Sequence, residues 1–189
     1  MSAMTTMKTL HLRNVFWLTI SAMLLALASC TASGELVDHA FSFDAVHDSS
    51  NEEVLDYRYG ASKQPGARPT DSELKDGRVR QGTNINGEML RGDSLYVKWR
   101  IKSTADVYED TVDLRRLLPA DMAKHRIHFV VKGPQLYVYL ISPERLNPNP
   151  CPPHEELRRL GKSAAPDDKI FAIYCYRKIN RIYPLKVTK

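Results

Sequence analysis

Three short groups of residues carry side chains capable of chemistry. His47-Asp48-Ser49 holds the residue types of a hydrolase triad. Adjacent positions in a turn cannot aim at one another in a proton relay, because triad members are brought together by the fold. No serine sits in a G-x-S-x-G frame either, so the three read as polar turn residues. Glu109, Asp110 and Asp113 form an acidic run. Paired carboxylates do acid–base work on sugars, but Lys98, Arg100 and Lys102 stand on the run expected to face them, and cross-strand ion pairs are the plainer reading. His125 and His128 have a spacing seen in metal ligands, yet on a strand a separation of three puts them on opposite faces. His39 precedes the first expected strand, and His154 opens a short helical run. The sequence therefore assigns no catalytic residue, no metal ligand, no cofactor and no small-molecule substrate, and the chain reads as a non-enzyme.

The N-terminus is more specific. Met1–Asn14 holds Lys8 and Arg13 and no acidic residue, and Val15–Ala28 is almost wholly apolar. This is the charged region and apolar core of a secretory signal. The apolar run of about 14 residues falls short of the roughly 20 that a membrane-spanning helix needs. Leu27-Ala28-Ser29-Cys30 resembles the lipobox of bacterial lipoproteins. The resemblance implies cleavage after Ser29, lipid on Cys30 and further acylation, palmitate being the typical chain. One acyl chain binds a membrane only marginally, whereas two or three hold. Thr31, where an aspartate would favour inner-membrane retention, implies the periplasmic face of the outer membrane. The expected organisation is a signal peptide over 1–29, a lipidated tether over 30–39 and one domain over 40–189.

Lys8 and Arg13 are the only lysines and arginines of the leader, which leaves the mature chain with three more basic than acidic residues. That excess is too mild to indicate nucleic acid. Cys151 and Cys175 remain, 24 positions apart. In an oxidising periplasm a lone pair tends to form a disulfide, and no C-x-x-C spacing favours redox or metal chemistry.

The elements that position these residues are short strands. Ala40–Val46 and Val54–Tyr59 alternate around a polar turn and predict a hairpin. Gly60–Gly82 is a long polar loop with a helical turn expected near Asp71–Lys75, and Thr83–Leu90 is a strand broken by Gly87. Leu95–Ile101 and Val107–Leu114 predict a second hairpin with Trp99 on its buried face. Arg126–Val131 and Leu136–Ser142, joined at Gly133-Pro134, predict a third. Ser142–Asp168 is a second long connection, with a helical stretch at His154–Leu160. Ile170–Tyr176 and Ile179–Tyr183 complete the strands. The pattern predicts a mainly β fold, an antiparallel β-sandwich or bent sheet with two long loops and little helix. Eight tyrosines, at 57, 59, 96, 108, 137, 139, 174 and 176, lie on these runs; tyrosine is a good strand former as well as an interface residue.

Five segments carry a wider resemblance: Phe41–Asp44, Val54–Gly60, Arg91–Arg100, Val107–Leu114 and Gly133–Leu140. Their pattern is similar to a family of proteobacterial lipoproteins found beside type VI secretion genes, thought to be immunity proteins against secreted phospholipases. The resemblance implies a membrane-anchored protein whose partner is a phospholipase effector; it carries over no partner-binding residue. The alternative is a structural or assembly lipoprotein of the cell envelope. A third reading, an enzyme acting through Glu109, Asp110 and Asp113, requires those carboxylates to converge. Cys30→Ala is expected to abolish incorporation of radioactive fatty acid and to release the protein from the membrane fraction; unchanged labelling and sedimentation would sink the lipoprotein reading.

Overall fold

Short alternating strands with one buried face must pair and pack face to face, and this chain does so in two sheets. The computed structural model describes residues 36–49, 51–148, 150–153, 155 and 164–185. The leader, Cys30 and most of His154–Leu160 lie outside the described residues. In chain order the elements are β1 (Leu36–Asp44), α1 (Ala45–Asp48), β2 (Glu52–Tyr59), α2 (Asp71–Lys75), β3 (Gly82–Leu90), β4 (Ser94–Ile101), β5 (Val107–Asp113), β6 (Arg126–Lys132), β7 (Gln135–Arg145), α3 (Pro166–Tyr174) and β8 (Arg177–Tyr183). One sheet has the order β3-β1-β6-β7-β8 and the other β2-β4-β5. The chain is mainly β, in two sheets, as its alternation predicts.

The sheets pack face to face. Phe41, Phe43, Ile127 and Phe129 of the larger meet Tyr57, Tyr59, Leu95, Val97 and Trp99 of the smaller. The rings interlock: Phe41 stacks on Tyr59 at 4.9 Å, Phe43 on Phe129 at 4.5 Å, and Phe43 meets Tyr57 edge-on at 4.7 Å. Offset and edge-on pairs of this kind contribute about 0.5–1.5 kcal/mol each beyond their burial. The turn between β6 and β7 is tied to the opposite sheet. The Trp99 indole donates to the Gly133 carbonyl at 2.8 Å, and the Gly133 amide donates to Glu52 at 2.6 Å. Gly133 holds φ +55°, a left-handed value that favours glycine.

Four expectations need correction. β1 and β2 do not form a hairpin: α1 turns the chain between layers, so their aromatic faces meet across the core instead of side by side. β1 instead pairs antiparallel with β3 and parallel with β6, so the larger sheet is mixed. β3 is unbroken, its ladder to β1 running through His39 opposite Gly87, which adopts φ +126°. His39, expected in the tether, lies within β1, which begins at Leu36; it is buried and bonded to the Tyr59 hydroxyl at 3.0 Å. Ile170–Tyr176, expected as a strand, is largely helix. Pro166 pre-sets the first turn and Asp167 and Asp168 favour its N-terminus. Ile170 and Tyr174, one turn apart, pack with Val130, Tyr139 and Ile141 on the outer face of the large sheet. Burial at that spacing overrides the strand propensity of the apolar run.

Cys151 and Cys175 are bonded, with Cα atoms 5.1 Å apart. The bond ties the proline-rich connection to the end of α3, not to a strand. Both thiols are expected to resist alkylation in the folded, unreduced domain, and reduction is expected to lower stability by about 3 kcal/mol, the loop-entropy value for this separation. Free alkylation of both cysteines before reduction would contradict the pairing.

Candidate functional site

Polar residues within apolar strands must find partners, and that requirement builds the most specific constellation in the protein. Ser42 interrupts the apolar run of β1, and His128 stands opposite it on β6. Both side chains point to the outer face. Ser42 Oγ lies 2.9 Å from His128 Nδ1, and His128 Nε2 lies 2.9 Å from Asp48 Oδ2 at the end of α1. All three residues are 5 % exposed or less. The Tyr174 ring of α3 meets the His128 ring edge-on at 6.0 Å, and burial raises the pKa of its phenol. With Nε2–H donating to Asp48, Nδ1 accepts from Ser42, and the serine, imidazole and carboxylate are joined in one chain of hydrogen bonds.

Local sequence places each member. Asp44 caps α1 by accepting from the His47 amide at 3.1 Å and pairs with the His47 ring at 2.7 Å. That turn delivers Asp48 inward and leaves His47 outside. Lys169 of α3 donates to the Asp48 carbonyl at 2.7 Å and reaches the His47 carbonyl at 3.3 Å, fixing α3 over α1. Ser49 turns away and donates to the Val131 carbonyl at 2.7 Å. Of the sequence triplet His47-Asp48-Ser49, only Asp48 joins the relay.

The relay lies beneath an open cleft of about 730 Å³, whose lining includes Val46, His47, Thr83, Asn84 and Ile173. Serine, histidine and aspartate at these distances have the parts of an activated nucleophile. Their surroundings suit a different task. Ser42 is mid-strand, flanked by Asn84 of β3 and His128 of β6, so the backbone around it is committed to sheet pairing. In the nucleophile-elbow arrangement a serine instead occupies a sharp strand-to-helix turn, beside a backbone amide that stabilises an oxyanion. Here the Tyr174 ring packs against the histidine, and the relay works as a strut joining β1, β6, α1 and α3.

The other candidates scatter. Glu109 and Asp110 point to opposite sides of β5: Glu109 lies 3.9 Å from Lys98, while Asp110 accepts from the Tyr183 hydroxyl at 2.7 Å. Asp113 pairs with Arg115 at 2.7 Å, and Arg100 pairs with Glu53 of β2 at 2.6 Å. His125 bonds the Ala123 carbonyl, apart from His128. Among the described residues, no group of three histidine, cysteine, aspartate or glutamate side chains converges as metal ligands would. Tyr57, Tyr59 and Tyr139 are core residues; burial pushes the Tyr57 and Tyr59 phenols up to about 12.

The loop between β2 and β3 is built differently from its polar composition. Its base is core: Ala67 and Val79 are buried. The Gln81 amide accepts from the Val54 amide at 2.8 Å and donates to the Val54 carbonyl at 2.9 Å, imitating a strand along the free edge of β2. Its tip is α2. Thr70 and Glu73 form a reciprocal capping box, and Glu73 also binds Arg80 at 2.9 Å. The Arg80 guanidinium is the first cause holding the Glu73 pKa down at about 2. This stabilisation is therefore complete above the ordinary glutamate value and is lost progressively as pH falls from there to about 2. On this rigid turn Leu74 stands 40 % exposed.

No known protein family matches the chain, and neither a curated protein nor a solved structure shows significant similarity to it. The fold and site define a class in structural terms: a two-sheet β protein with one helix on its outer face. Among the described residues, no helix is long and apolar enough to cross a membrane.

The strut predicts two results. His128→Ala, which orphans Ser42 and Asp48, is expected to cost about 1–3 kcal/mol in denaturant unfolding. Ser42 is expected to remain unlabelled by a fluorophosphonate in the folded protein. Covalent labelling at Ser42 that His128→Ala abolishes would make the relay a nucleophile site.

Proposed function

We propose that this protein is a membrane-anchored inhibitor of a secreted phospholipase, acting at the periplasmic face of the cell envelope. The secretory leader ending in the lipobox-like Leu27–Cys30 supports the location. The resemblance of five segments to immunity lipoproteins of type VI secretion loci supports the partner. The observation that carries the reading is the α2 projection: a capped turn, locked by Glu73 and Arg80, that presents an exposed leucine on a base buried in the core.

A lipase admits lipid through an apolar cleft, and an inhibitor needs a shape that enters the cleft and stays. Leu74 supplies the apolar anchor, and exposed Lys75 and Arg78 surround it with charge. Because the turn is ordered before binding, little conformational entropy is lost on docking. A lipid anchor adds local concentration, holding the inhibitor at the surface its target attacks. No chemistry of the inhibitor's own is required.

Because Ala67 and Val79 belong to the core, deleting the loop would disturb the fold, and a single outward residue is the better probe. The purified protein is expected to bind the phospholipase encoded beside it and to stop lipid hydrolysis. Leu74→Asp is expected to weaken inhibition at least tenfold, as loss of an interface anchor does, without lowering the melting temperature. Full inhibition by Leu74→Asp would remove α2 from the mechanism. Failure of the intact protein to bind the lipase would remove the inhibitor reading and favour a structural lipoprotein of the envelope.

A further inference from the structure

Arginines stacked on tyrosine rings recur in this protein, and one ring differs from the others. Arg58 lies over Tyr96 at 5.4 Å and is held by Asp56 at 2.9 Å. Arg181 lies over Tyr137 at 5.8 Å and is held by Asp167 at 3.2 Å. Tyr176 carries two guanidinium groups, Arg145 at 5.9 Å and Arg177 at 5.5 Å. Among the described residues, neither of these arginines has a carboxylate partner. Arg177 makes one long bond, 3.4 Å, to the Ser142 carbonyl.

Arg145 and Arg177 are also direct partners across the β7–β8 ladder. Like charges directly opposite each other destabilise a sheet. The pairing is nevertheless built in. A bulge between Ile141 and Arg145 sets the register, the Leu146 amide donates to the Tyr176 carbonyl at 2.9 Å, and the disulfide at Cys175 fixes the chain beside the ring. Two guanidinium groups held within 5.9 Å of one aromatic ring match an anion that accepts several hydrogen bonds, and a phosphate diester fits that requirement.

The topology supplies the source of the phosphate. β1 and β6 run parallel with Ala40 beside Arg126, and Arg126 pairs with Ile141, which pairs with Ile179. Moving from Ala40 back to Leu36 is therefore the same direction as moving from Ile141 on to Arg145 and from Ile179 back to Arg177. The arginine pair and the start of β1 share one end of the sheet. Five residues lie between Cys30 and Leu36, a stretch whose full extension is about 20 Å.

The geometry points to Arg145 and Arg177 as a clamp for the phosphate of an anionic phospholipid headgroup, seating this end of the large sheet on the lipid surface. The clamp goes beyond inhibition and shares with that reading only the membrane location; α2 lies on a different loop. Lys178, exposed beside Arg177, adds to the positive field, and Glu144 is the nearest acidic residue in sequence.

The test uses the full chain in neutral detergent, titrated with dihexanoyl phosphatidylglycerol below its micelle concentration. Binding is followed through the arginine Nε–H signals, assigned with Arg145→Gln and Arg177→Gln. Saturable shifts of both signals are expected. Each variant should weaken binding at least tenfold while keeping the wild-type melting temperature. Dihexanoyl phosphatidylcholine and inorganic phosphate should each bind at least tenfold more weakly than the glycerol lipid. Absence of shifts, or shifts that survive in the double variant, would overturn the clamp. Inorganic phosphate binding as tightly as the lipid would overturn the membrane source. Loss of lipase inhibition in the double variant, with lipid binding unchanged, would mark the pair as a protein contact instead. A protein that fails to inhibit any lipase but still binds the glycerol lipid through these arginines loses the inhibitor reading and keeps the clamp.

Discussion

Burial of β1 on both faces is the constraint from which the rest of the structure follows. Inward, Phe41 and Phe43 meet rings from two other strands, β2 and β6, and define the spacing of the two sheets. Outward, Ser42 is covered by α3, where an unpartnered hydroxyl would carry a desolvation penalty of about 1–3 kcal/mol. His128, backed by Asp48, removes that penalty and decides where α1 ends, and Lys169, bonded to the Asp48 carbonyl, decides where α3 lies. One strand thus couples the aromatic core to a polar network on the opposite side of the sheet.

Much of this arrangement was legible in the chain. The β4–β5 hairpin and the burial of Trp99 follow from the alternation of Leu95–Ile101, in which every second residue is apolar. The β6–β7 hairpin follows from two apolar runs around Gly133-Pro134, and α2 from the Thr70–Glu73 capping pair. The pairing of β1 was not legible, because alternation sets which face of a strand is buried and not which strand lies beside it. Its neighbours, β3 and β6, arrive about 40 and 85 residues later, and only the packed core selects them. The Ile170–Tyr176 run misled for a related reason: branched and aromatic residues favour a strand until a single helical face finds a sheet to cover.

The relay had a faint signature. Ser42 and His128 each interrupt an otherwise apolar strand, and a polar residue buried mid-strand needs a polar partner across the sheet. Such interruptions pair the two, whereas His47-Asp48-Ser49, which reads as polar turn residues, contributes Asp48 alone to the relay. The double arginine at Tyr176 had no sequence signature, since its register depends on a bulge that no local pattern specifies.

The Gln81 amide along β2 has a further consequence. Unpaired strand edges invite copies of a protein to zip together. Gln81 occupies the hydrogen-bonding positions of Val54 that an intruding strand would use. At the other end of the small sheet, β5 carries Glu109 and Asp113 on its exposed face, so two such edges repel on approach. The small sheet is thereby protected at both margins from stacking into fibres, with one borrowed amide and two carboxylates.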